Sequence, residues 1–370
     1  MERGQNRRWA RAALGLALLL VVRPAGALPP PDCIHALEGA TARIPLPPGP
    51  GAWAVRDQAG RPVRPAGPAD ADGGLRVPPG GWYRLYRDDA PVGGRFAAGH
   101  VVLVTGQSQA GGLFFATWPQ VGAHPVGPAD PPAPPVSAVL EGCREPAGCP
   151  WGETRWRPAG EALGARILLA ELARLRPGIP VALADTSWGN AGILDLLDPA
   201  GPARPYLVRV AEAAAPASAL LVLAHGTSDA LARTPPAAYA AGVGALAGLL
   251  RAAGGNPAMP ALQAPLAPLR DAVALLGSGR LAGLAGITSA GHWTLALGLA
   301  WHRPLDPATA AQAGAIRYAQ AEAARRFGLL PGGDMAAVES GADGIHWSAE
   351  GVRRAAREAA AALAAALPPP

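Results

Sequence analysis

Apolar positions along the chain fall into two regimes. Between residues 28 and 98 they come in short bursts, Ala42 to Leu46, Ala52 to Val55 and Trp82 to Tyr86, separated by Pro and Gly, and no helical period outlasts one turn. Bursts of this kind predict a small all-β unit, which either packs on the rest of the chain or contacts a polymeric substrate. From residue 99 strands and helices alternate. Val101-Val102-Leu103-Val104 predicts a strand over 101–105, because consecutive β-branched and large apolar residues suit a sheet covered on both faces. A helix over about 160–175, strands 180–185 and 219–224, a helix over about 237–253 and weaker strands near 258–264 and 283–288 follow. Helices over about 307–327 and 349–367 complete the series, the last with Ser348 as N-cap and Glu350 in its first turn. The alternation predicts an α/β fold, a three-layer parallel sheet with helices on both faces, preceded by the small all-β unit. The Pro- and Gly-rich stretch 122–160 is too long for an ordinary connection and reads as an active-site loop or lid.

The first 27 residues stand apart. Arg3, Arg7, Arg8 and Arg11 precede the apolar stretch Ala12 to Val22, and Ala25-Gly26-Ala27 has the small-x-small form of a signal-peptidase site. The apolar run is shorter than the roughly 20 residues a spanning helix needs, which favours a cleaved secretory signal over an anchor. The resulting division is 1–27 signal peptide, 28–98 β-rich unit and 99–370 main domain, with the product periplasmic or extracellular. Removing 1–27 takes away five arginines and one acid, so the net charge falls from +5 to +1. No basic patch then argues for nucleic acid, and no second hydrophobic span argues for a stable membrane anchor. Export permits a disulfide among Cys33, Cys143 and Cys149; Cys143 and Cys149 could pair locally, and a pair with Cys33 stays open. Their spacing suits no standard zinc site. Composition adds little, since 48 glycines, 42 prolines and abundant alanine are what GC-rich bacterial coding produces.

The candidate chemistry sits where strands end. Gly106-Gln107-Ser108 closes the first strand of the alternating region, and Asp343-Gly344-Ile345-His346 immediately precedes the last helix. A serine hydroxyl becomes a nucleophile when an imidazole takes its proton, and a carboxylate fixes the imidazole's tautomer. Ser108, His346 and Asp343 could fill those roles. His302 is a rival histidine without an Asp-x-x-His arrangement, and Asp229 could also orient an imidazole. Acyl transfer needs donors for an oxyanion. Trp188-Gly189-Asn190 and His225-Gly226-Thr227-Ser228-Asp229, each just after a predicted strand, offer turns at the same sheet edge. In such sheets ligands bind beyond the carboxyl ends of the strands. Trp118, Trp151, Trp156 and Trp188 lie in or beside these loops, where one could form a platform for a sugar ring.

With these blocks in view, residues 99 to about 365 resemble the SGNH (GDSL-type) hydrolases, and among them the sialate O-acetylesterase-like carbohydrate esterases. Those proteins carry Gly-Gln-Ser-Asn, Gly-Gly-Thr-type, Gln-Gly-Glu-Ser and terminal Asp-x-x-His blocks; the corresponding stretches here are GQSQ (106–109), WGNAGI (188–193), HGTSD (225–229) and DGIH (343–346). The resemblance implies an SGNH/flavodoxin-like sheet and a cofactor-free, metal-free Ser-His-Asp mechanism. It makes Ser108 the nucleophile, His346 the base and Asp343 its orienter. Ser108 and Gly189 N–H groups, with His225 as a further donor, would form the oxyanion hole. Gln107, Gln109, Trp188 and Asn190 would face substrate, an acetylated saccharide or other small ester. The sequence departs from the pattern at Gln109 (for Asn), Asn190 (for Gly), His225 (for Gln) and Thr227 (for Glu).

Two other readings stay open: an esterase or lipase for non-sugar esters, and a glycan-binding module on a degenerate esterase fold. The α/β-hydrolase arrangement fits poorly, because Ala110 stands where Gly-x-Ser-x-Gly requires glycine and Ser108 follows the region's first strand.

Overall fold

A computed structural model describes residues 28–108, 110–111, 124–142, 153–159, 162–214, 219–263, 307–332 and 347–368. The leader, Gln109, Trp118, Cys143, Cys149, Trp151, the strand expected near 283–288, His302, Asp343 and His346 lie outside these residues.

Short strands dominate the N-terminal part: β1 (Cys33–Glu38), β2 (Thr41–Pro45), β3 (Trp53–Asp57), β4 (Pro62–Gly67), β5 (Gly74–Val77) and β6 (Gly80–Arg87). Their apolar residues, Ile44, Trp53, Val55, Leu75 and Leu85 among them, gather in one cluster with Phe96. The strand that follows, β7 (Ala90–Gly106), runs unbroken past residue 98. It pairs with β6 antiparallel over its first half and with β1 in parallel over Phe96–Gly99.

Beyond residue 99, β7 becomes the centre of a parallel sheet. It is flanked by β10 (Val181–Ser187) on one side and β11 (Leu220–Ala224) on the other. β8 (Ser137–Gly142) extends the sheet beyond β10, while β12 (Ala261–Gln263) and β13 (Leu330–Pro331) extend it beyond β11. An antiparallel strand, β9 (Thr154–Pro158), closes the β8 edge, so the connected sheet is mixed and only its middle is parallel.

Alternate residues of a strand point to opposite faces, and β7 commits both of its faces to a core. Val101 and Leu103 join the apolar faces of α2 (Ile193–Leu197), α3 (Ala203–Ala214), α5 (Pro236–Ala253) and α6 (Pro307–Phe327). Val102 and Val104 join α1 (Leu163–Leu175) and α7 (Ala349–Ala366) on the other side. A short α4 (Thr227–Leu231) follows β11. Every one of these four valine and leucine side chains is fully buried, each worth roughly 1.5–3 kcal/mol against exposure. This pattern is why the run read as a two-sided strand.

Helices α6 and α7 cover the residues predicted for them, and the Ser348 side chain accepts from Gly351 N at 3.0 Å, the expected N-cap. The stretch read as a loop or lid departs from expectation, because residues 137–142 and 154–158 are strands. β8 lies between β10 and β9 with α3 packed against it, and its Glu141 is paired with Arg155 and Arg157 of β9. Cys33 carries no disulfide: it is buried in β1 among apolar neighbours, and burial pushes its thiol up to about 12.

Candidate active site

The three central strands end at one level. Ser187 of β10, Gly106 of β7 and Ala224 of β11 are direct neighbours across the ladders. The residues that leave the sheet from there are Trp188-Gly189-Asn190, Gln107-Ser108 and His225-Gly226, the very blocks singled out in the sequence. β7 is also where the order of connection reverses, the chain going first to β8 and β10 on one flank and then across to β11 on the other. That is the crevice in which open α/β sheets bind ligands.

Local chemistry fixes each loop. Gly106 has φ +154°, and a Cβ there would lie 1.9 Å from the Ala224 carbonyl oxygen, so only glycine allows β7 to turn this close to β11. A helical turn starts at Ser108, with Gly111 N donating to Gln107 O at 3.0 Å, and Ser108 itself is half-buried. Thr105 Oγ1 donates to Thr186 O at 3.0 Å and Thr186 Oγ1 to Val104 O at 2.9 Å, stitching the ends of β7 and β10 together. Within β10, the Asp185 carboxylate accepts from Ser187 N at 2.9 Å.

Gln107 faces inward. Expected on the substrate side, it is 2% exposed, and its Oε1 accepts from Ser228 N at 3.0 Å and Gly226 N at 3.4 Å. The carboxamide braces the loop after β11.

In the second block Trp188 N donates to Gly106 O at 2.8 Å, and the indole packs edge-on against Tyr206 at 5.4 Å between centroids. Gly189 is half-buried and Asn190 exposed, the latter at φ 58°. Asparagine is among the few non-glycine residues that accept this left-handed conformation readily, which is how it stands where the resemblance expects glycine.

His225 lies deeper than an accessible donor would. It is 1% exposed, its Nδ1 shares a 2.9 Å hydrogen bond with Tyr239 Oη, and Gln320 Nε2 donates to its carbonyl at 2.8 Å. Burial alone lowers its pKa to about 4, so the ring is neutral at pH 7, and Nε2 has no hydrogen-bond partner among the described residues. Asp229 is fully buried at the other end of the same block. Its Oδ1 accepts from Ile193 N at 2.9 Å, and burial raises its pKa to about 6 against the hydrogen bonds it accepts. The sequence offered Asp229 only as a possible imidazole orienter; its tie to Ile193 has no sequence signal.

Of the tryptophans, Trp156 lies on β9 against the main core and Trp188 against Tyr206; Trp118 and Trp151 fall outside the described residues. His346 and Asp343 also fall outside, but the residues that follow them are anchored. Trp347 is buried in the same cluster as Val104 and Ala110, and its carbonyl is 2.9 Å from His124 Nε2. Among the described residues no group of three or more His, Cys, Asp or Glu could hold a metal ion, and no described helix is long and apolar enough to cross a membrane.

No protein-family model matches the chain, and comparison with curated protein sequences gives no match. Among solved structures, the chain aligns over 92% of its length and 75% of the other's with a carbohydrate acetylesterase from Xanthomonas citri, at 16% identity and a TM-score of 0.52. The two chains share a fold. An acetylxylan esterase from Geobacillus stearothermophilus aligns over 70% of this chain and 92% of its own, at 10% identity and a TM-score of 0.37. A protein from Slackia heliotrinireducens assigned as an SGNH hydrolase aligns over 72% and 98%, at 18% identity and a TM-score of 0.36. The structural neighbours are thus SGNH-type hydrolases and carbohydrate acetylesterases, all at low identity.

Proposed function

We propose that the protein is a serine esterase that removes O-acetyl groups from carbohydrate, exported by way of its N-terminal leader. The observation that carries this reading is the meeting of three sequence blocks at one level of three adjacent parallel strands, with Ser108 at the middle one. The fold shared with a carbohydrate acetylesterase supports it.

In this reading Ser108 Oγ attacks the acetyl carbonyl carbon while His346, oriented by Asp343, takes the hydroxyl proton. Ser108 N–H and Gly189 N–H hold the oxyanion, each such donor contributing about 3 kcal/mol to the transition state. The C–O bond to the sugar breaks as His346 returns the proton to the leaving oxygen. Water, deprotonated by His346, then attacks the acyl carbon, releasing acetate and restoring Ser108. Trp188, Asn190 and Gln109 line the substrate side. His225, held in the core, supports the loop. Residues 28–98 serve as a packing partner of the main domain.

The test is acetate release from 4-nitrophenyl acetate and from acetylated sugars by the chain without residues 1–27, beside Ser108→Ala. We expect turnover that falls on the order of a thousandfold or more in the variant. Equal turnover by both proteins would overturn the assignment of Ser108, and preference for long acyl chains would move the substrate away from carbohydrate. Glycan binding without turnover, unaffected by Ser108→Ala, would make the protein a binding module.

A further inference from the structure

Hydrogen bonds join the three strand-end loops in a closed circuit. The loop after β10 is tied to β7 by Trp188 N on Gly106 O at 2.8 Å. The loop after β7 is tied to the one after β11 by Gly226 N and Ser228 N on Gln107 Oε1 at 3.4 and 3.0 Å. The remaining side runs from the loop after β11 to the loop after β10, by Ile193 N on Asp229 Oδ1 at 2.9 Å.

Two of these ties use neutral acceptors, and the third uses a carboxylate with no exposure to solvent. Burying a carboxylate disfavours its charged form, whereas a charged acceptor holds an amide about twice as strongly as a neutral one. This bond sits at the far end of the 188–193 turn, whose near end is held by Trp188 N. Gly189, between them, has its backbone pinned from both sides. Gly192 keeps the approach open, since a Cβ there would lie 3.1 Å from Asp229 Oδ1.

We propose that Asp229 is the positioning residue of the oxyanion side, holding Ile193 N–H so that Gly189 N–H stays aimed at the carbonyl oxygen of the ester that Ser108 attacks. The inference rests on the esterase reading, and Asp229 itself touches no reacting atom.

The experiment combines steady-state kinetics on 4-nitrophenyl acetate with amide hydrogen exchange over residues 188–197, for the unmutated chain, Asp229→Ala, Asp229→Asn and Gly192→Ala. In Asp229→Ala we expect kcat to fall about 10- to 100-fold with KM within about threefold, together with lost protection over 188–197. Asp229→Asn keeps an acceptor for Ile193 N and should restore most of both. Gly192→Ala strains the same tie with the carboxylate still present, so it gives a smaller drop in kcat should Asp229→Ala fail to fold. An unchanged kcat, a fall in kcat with protection intact, or an asparagine variant as impaired as the alanine one would each overturn the proposal. Failure of the esterase reading looks different: the unmutated chain shows no hydrolysis while Asp229→Ala still loses protection. That outcome also removes the positioning role and leaves the tie as architecture.

Discussion

Single residues at the sheet edge carry constraints that their neighbours impose. Gly106 illustrates this, because its missing side chain is the space the Ala224 carbonyl occupies. Gly106→Ala must move β11 away from β7 or distort the turn into Ser108. We expect a loss of about 2–4 kcal/mol of stability, read as a drop in thermal midpoint, and a parallel loss of esterase turnover. An alanine variant that melts with the unmutated chain would mean that the strand ends are not as tightly apposed as described. The glycine was legible in the sequence as the residue beside a candidate nucleophile; the reason for it was not, since the atom that excludes a methyl belongs to a strand more than a hundred residues later. Gln107 and His225 follow the same logic. Both were read by analogy as facing a ligand, yet Gln107 bonds the backbone of the β11 loop and His225 bonds Tyr239 and Gln320. Hydrogen bonds between distant loops leave no periodic trace in a sequence.

Elements were legible in proportion to the length of their apolar pattern. Helices α5, α6 and α7 stand close to where they were predicted, because each is a long Ala-rich run of good helix formers and α7 begins at a capping serine. Strand β8 was hidden by its short apolar core inside a Pro- and Gly-rich stretch, and β9, Thr-Arg-Trp-Arg-Pro, by polar side chains that suit an edge. The segment between Ser108 and β8 holds another device. Asp130 pairs with Arg353 of α7 at 2.8 Å, Arg166 of α1 donates to Pro131 O at 2.5 Å, and His124 meets the Trp347 carbonyl. Residues 124–131 thereby strap the start of the helix that follows His346. The hydrogen bond from Arg353, joined by one from Gly127 N, holds the Asp130 carboxyl down at about 2. An acid with a depressed pKa stabilises the fold above its ordinary value of 3.8, and that contribution disappears as pH falls through about 2. Asp130→Asn should therefore melt below the unmutated chain at pH 7, and the two midpoints should converge as pH is lowered from about 4 toward 2. A gap that stays constant over that range would show that the ion pair is not the source of the difference.

At the scale of the molecule, the N-terminal strands are bound into the rest. Ile34, Ala36 and Trp82 belong to the main core with Leu103 and Leu221, and Trp82 Nε1 donates to Pro135 O at 2.9 Å just before β8. A chain of residues 99–370 alone would lose the first half of β7 and expose those contacts. We expect it to be insoluble or to lack a cooperative thermal transition, and a soluble fragment with a sharp transition would make 28–98 dispensable. The same continuity has a mechanical side. Where β7 passes from one core to the other its partners succeed one another: β1 and β6 hold it over 96–98, β1 alone at Gly99, β10 from His100, and β11 joins at Val102. From Phe96 to Gly106 every residue of β7 has a partner on at least one flank, which resists a hinge between the two cores. A group held beside the start of β7 would stand roughly 55 Å from Ser108 along a strand of this length, and the run of paired residues across the two cores opposes closure of one onto the other. Selectivity among extended substrates would then come from the spacing of their own groups against a rigid template.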